Sequence, residues 1–162
     1  MQGDLAANSK LHRIFSMIGN KESKIIPNEY ILTNLFNIYN MRMFNGVLAT
    51  PTFQITNSKY QLGTFRYSYI GQTDNTIIIE ISGMYKYTKY QLLSVLVHEM
   101  IHYYMSAVKY ANTVNHGYDF LYMANQLNKS YEFHITPTID LTDFEKIEGK
   151  SIMSRLFDWL FC

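Results

Sequence analysis

The chain runs Thr88-Lys89-Tyr90-Gln91-Leu92-Leu93-Ser94-Val95-Leu96-Val97-His98-Glu99-Met100-Ile101-His102 through the stretch that decides its fold. Thr88 followed three residues later by Gln91 is a capping box: the hydroxyl takes up the N3 amide and the glutamine answers the N-cap amide. A helix opens there. Leu92, Leu93, Val95, Leu96 and Val97 surround most of its circumference, so the pattern predicts a buried helix. Two histidines and a glutamate inside it need a reason, because unpaired polar groups are costly to remove from water.

That reason is legible in the spacing of His98-Glu99-Met100-Ile101-His102, the H-E-x-x-H pattern. Residues four apart share one helix face about 6 Å apart along the axis, so two imidazoles can converge on one Zn²⁺ at roughly 2.0–2.1 Å. Glu99 is offset around the helix, off the metal but within reach of a water bound to it. There a carboxylate can take the water's proton and pass it to a leaving amine, while zinc lowers the water's pKa and polarises the scissile carbonyl. With 5 His and 7 Glu in 162 residues, chance alone produces the pattern in roughly 0.6% of such chains.

Two imidazoles leave the ion short of its usual three protein ligands. The metzincin extension is absent, since Met105 and Val108 stand where it needs Gly and His. Glu132 and Asp119 are candidates for the third ligand. His116 has the better setting: it follows a loop over 110–115 that lets the chain fold back, and it is expected in the first turn of the next helix beside Gly117. His12 and His134 read as structural or solvated side chains.

His98-Glu99-Met100-Ile101-His102 followed by His116-Gly117-Tyr118-Asp119-Phe120 resembles the H-E-x-x-H … H-G-x-x-F signature of the SprT-like zinc metalloproteases, which include the Spartan DNA–protein crosslink proteases. Phe44-Asn45-Gly46-Val47-Leu48 and Gly63 are similar to that family's helix end and second strand. The resemblance covers about Leu32 to Asn128. It implies that His98, His102 and His116 hold one Zn²⁺ and that Glu99 is the general acid/base, on a minimal zincin-like α+β domain. Many members continue into a Cys-rich zinc ribbon or basic DNA-binding segments, whereas the sequence after Asn128 is acidic and lacks a cysteine pair.

Around this centre the chain reads as one domain of 162 residues, 48% hydrophobic and 17% charged, which excludes wholesale disorder. A helix is predicted from Pro27, with Leu32, Leu35, Phe36, Tyr39 and Met43 on one stripe and Asn45-Gly46 ending it. Strands follow over Thr50–Thr56, Gly63–Ile70 and Asn75–Ser82, the last with Ile77, Ile79 and Ile81 on one apolar face. A helix from about Asn115 to Asn128 carries Phe120, Met123, Ala124 and Leu127. Residues 151–161 are short and amphipathic. The expected architecture is α+β, with a sheet of about three strands packed on the H-E-x-x-H helix and additional helices. Residues 1–26 read as an N-terminal segment, 27–130 as the catalytic domain and 131–162 as a tail packing on it.

A net charge of +1 removes any strong electrostatic case for nucleic acid or anionic membrane. Lys59, Arg66, Lys86, Lys89 and Lys109, interleaved with tyrosines, outline a shallow strip for single-stranded nucleic acid; a solvated tyrosine-rich surface is the simpler account. The lone Cys162 cannot build a disulfide framework, and neither a leader nor a membrane span is legible, so a cytoplasmic protein is expected. The resulting expectation is a zinc metalloendopeptidase acting on a protein or peptide substrate laid along the edge of strand 63–70. A zinc-stabilised binding module that does not cut is the alternative.

Overall fold

The computed structural model describes residues 23–70, 74–108, 116–131 and 133–147. The expectations for the segment 1–22 with His12, for Lys109, for the loop 110–115, for Glu132 and for the amphipathic stretch 151–161 lie outside the described residues. Helix α1 (Glu29–Met43) starts two residues past Pro27, because Asn28 is the N-cap and its side chain accepts from the Ile31 amide at 2.9 Å. It ends at Asn45 and Gly46, both in the left-handed region at φ 53° and 72°.

Strands β1 (Thr52–Thr56), β2 (Gly63–Ile70) and β3 (Asp74–Ser82) form one mixed sheet in the order β1-β3-β2. β3 lies parallel to β1 and antiparallel to β2. β1 and β2 are consecutive in the chain yet not neighbours, because β3 is inserted between them. Ile79 and Ile81 are fully buried. Their opposite face is closed as well: Glu80 is held by Arg66 at 2.6 Å, and the Ser82 hydroxyl donates to the Ser58 carbonyl at 2.6 Å.

Strand β4 (Tyr85–Lys86) leads into helix α2 (Lys89–Ala107), whose capping box forms as expected: the Thr88 hydroxyl accepts from the Gln91 amide, and the Gln91 side chain accepts from the Thr88 amide. Every residue from Leu92 to Ile101 is buried. Tyr103, near the far end of α2, stacks on Phe65 of β2 and Phe36 of α1 with ring centroids 5.4 and 6.5 Å away, and its hydroxyl donates to the Ala49 carbonyl. That one ring joins helix, sheet and helix, and its donor is used in doing so.

Helix α3 (Tyr118–Tyr131) buries Phe120, Ala124 and Leu127. The chain then returns toward α2. Asn128 clamps Ile135 through both its amide and its carbonyl, and the His134 amide donates to the Ser94 hydroxyl. A 3-10 turn (Leu141–Asp143) follows, and β5 (Glu145–Lys146) pairs antiparallel with β4. The Gln91 side chain also donates to the Asp143 carbonyl, so this return strap is fastened to the start of α2. Among the described residues no helix is long and apolar enough to cross a membrane.

Candidate metal centre

Four residues apart on α2, His98 and His102 point their Nε2 atoms to within 3.1 Å of each other, and His116 brings its Nε2 to 3.1 Å from both. His116 is not in the first turn of α3, as its sequence setting suggests. It precedes the helix, whose first bond runs from the Leu121 amide to the Gly117 carbonyl. Placed ahead of the helix, the ring reaches back to α2. Asp119 is exposed and takes no part in the cluster.

One ring supports all three. Phe120 lies 4.9, 4.8 and 4.6 Å, centroid to centroid, from His98, His102 and His116. Sequence periodicity marks Phe120 only as core. Its fixed spacing of four residues after His116 is the signal that could have identified it as the floor of the cluster.

The donor set fits a divalent metal. Three imidazole nitrogens in a triangle cannot all satisfy one another, since each offers either a lone pair or one proton in its ring plane. Tetrahedral zinc with nitrogens at about 2.0–2.1 Å would separate those nitrogens by roughly 3.3 Å, close to the observed 3.1 Å. Burial drives the His98 pKa down to about 3, helped by repulsion from His102 and His116 and opposed by the Thr136 backbone. Burial also lowers His116. Both shifts favour the neutral ring, the state a metal requires. His98 Nδ1 is buried with no well-formed hydrogen bond, the Thr136 backbone being the polar group that acts on the ring.

Glu99 is 5% exposed, facing β2 rather than solvent. Burial pushes its pKa up to about 8, against the pull of a hydrogen bond donated by the Phe65 amide. The space it occupies lies directly over Gly63, where a Cβ would stand 2.5 Å from Glu99 Oε1.

A cleft of about 530 Å³ runs beside His98 between the first half of α2 and the return strap. Val95, Ile135, Ile139 and Phe144 line it, and so does His134, whose exposed ring lies outside the metal cluster. This cleft had no counterpart in the sequence reading, because its second wall comes from residues after Pro137 that carry no clear periodicity. In the basic strip, Arg66 pairs with Glu80 and Lys86 with Glu145, and Lys89 lies over the Tyr90 ring.

A buried helix with two imidazoles one turn apart, completed by a third from the following segment, gives a small α+β domain a donor set that could hold a metal ion. The family model described as SprT-like matches residues 32–140, and the chain belongs to the SprT-like family. No curated protein matches it. Family membership points to a zincin-like metallopeptidase or a related function.

Proposed function

We propose that the protein is a zinc-dependent metalloendopeptidase that hydrolyses peptide bonds in protein substrates. The observation that supports this most directly is the triangle of imidazole nitrogens at 3.1 Å, with a carboxyl group buried on the residue after His98 in the same helix. His98, His102 and His116 would hold the ion. When bound, Zn²⁺ supplies Lewis acidity that polarises a scissile carbonyl and lowers the pKa of an attacking water.

The chain's own residues do the rest. Glu99 receives the proton of the attacking water and returns it to the leaving amine, a task suited to a carboxyl whose affinity for protons burial has raised. Phe120 keeps the three rings from turning away. β2 is an edge of its sheet, and an extended substrate segment would add to that edge beside Glu99. The cleft between Val95 and Ile139 takes a side chain flanking the scissile bond.

The test is cleavage of a denatured protein by zinc-loaded wild type and by Glu99→Gln. Loss of cleavage in the variant with zinc content and fold retained supports the enzyme. Failure of the wild type to cut any denatured protein, alongside full zinc occupancy, favours a non-cutting module. Salt-sensitive binding to single-stranded DNA would extend the substrate class to DNA-associated proteins, and cutting confined to short peptides would narrow it to a peptidase.

A further inference from the structure

Glu99 owes its place to two groups on β2. The Ser82 amide donates to the Leu62 carbonyl, which sets the phase of the β2–β3 ladder: residues 62, 64 and 66 bond inward to β3. Residues 63, 65 and 67 therefore turn their amides and carbonyls to the free edge. The Phe65 amide spends its outward bond on the Glu99 carboxylate. Two residues earlier, on the same face, Gly63 leaves open the volume that the carboxylate fills.

The crowding there is unusual in kind. A Cβ on Gly63 would meet Glu99 Oε1 at 2.5 Å, Cγ at 2.9 Å and Cδ at 3.0 Å, so three atoms of one side chain would have to move together. A glutamate on the surface could swing aside cheaply. Glu99 is 5% exposed, with buried neighbours on both sides along α2, and can move only by giving up the Phe65 amide. At Gly117, by contrast, an added Cβ meets nothing within 4 Å. The Gly63 backbone lies outside the left-handed region, so a side chain there is excluded by space and not by backbone strain.

We infer that Gly63 is a positioning residue for Glu99: its missing side chain makes the seat in which the carboxylate lies against the β2 edge. The inference rests on the assignment of Glu99 as the proton carrier, and it extends that reading to a residue that has no side chain of its own to offer. Gly63→Ala displaces the carboxylate while leaving the three histidines as they are. A displacement of about 1 Å in a catalytic group can cost on the order of 10²-fold in rate.

The experiment uses full-length zinc-loaded protein and two readouts. Cleavage of a denatured protein by Gly63→Ala is expected to fall by at least about tenfold in kcat with KM and zinc content held. The backbone amide resonance of Phe65 is expected to shift in Gly63→Ala as it does in Glu99→Ala, because both take the acceptor oxygen away from that amide. Shortening the acid frees the space again. Glu99→Asp should therefore cost less in the Gly63→Ala background than in wild type, and the double variant should regain thermal stability. An unchanged Phe65 resonance with wild-type kcat in Gly63→Ala overturns the inference, as does simple additivity in the double variant. If wild type cuts nothing, the resonance and the stability cycle still decide the seat, and only the protease reading falls.

Discussion

Asn40 and His98 are almost equally buried, at 6% and 7% exposure, yet the fold treats them oppositely. Asn40 donates to the Leu48 carbonyl at 2.7 Å and accepts from the Leu48 amide at 3.2 Å, closing the turn after α1 with nothing left over. His98 has a buried Nδ1 without a good partner and an Nε2 aimed at two other imidazoles. A buried polar group that satisfies itself serves the fold; one that is left wanting, in company with others, awaits a ligand.

The comparison would break most sharply at Glu99. If the cluster is catalytic, Glu99→Gln lowers cleavage about 10²–10⁴-fold with zinc retained, whereas Asn40→Ala leaves the specific activity of the folded fraction intact. An assay of cleavage beside metal analysis reads both. Next in size, His116→Ala should lose zinc together with activity. Full zinc occupancy in that variant would remove His116 from the ligand set.

Metal removal sharpens the contrast through pH. In the metal-free protein His98 is depressed from 6.5 to about 3, so its contribution to stability is complete above pH 6.5 and is lost as pH falls toward 3. Glu99 is raised from 4.5 to about 8, so its contribution is complete below pH 4.5 and is lost as pH rises toward 8. Thermal melts of the apoprotein should thus soften at both ends, and Glu99→Gln should abolish the alkaline arm alone. A melt independent of pH from 4 to 8 would contradict this.

Asn40→Ala should cost about 1–3 kcal/mol by stranding the Leu48 amide and carbonyl, measured by chemical denaturation, with zinc stoichiometry unchanged. The smallest effect belongs to Thr88→Ala. Loss of that cap should cost about 1 kcal/mol and leave the metal centre intact, since it lies ten residues from His98.

The helix bearing the motif was legible because each of its signals is local. Thr88 and Gln91 mark its start, the apolar run marks its burial, and the i, i+4 spacing puts His98 and His102 on one face whatever surrounds them. β2 was read to the residue and β3 to within one for the same reason. His116 was legible as a candidate through its spacing to the motif and through family resemblance, but its place before α3 was not. The residue just ahead of that helix is Gly117, which has no side chain to mark the start.

By itself the sequence determined the three helices and the three longer strands, the pair of histidines on one helical face and the acid between them, because these follow from neighbours within a turn or two. Tertiary structure alone decided that β3 lies between β1 and β2, that Phe120 underlies all three imidazoles, that the strap after α3 walls a cleft beside His98, and that Gly63 leaves room for Glu99. Those relations join residues tens of positions apart. Distance along the chain says nothing about such contacts until packing and hydrogen-bond satisfaction have chosen one arrangement of the elements.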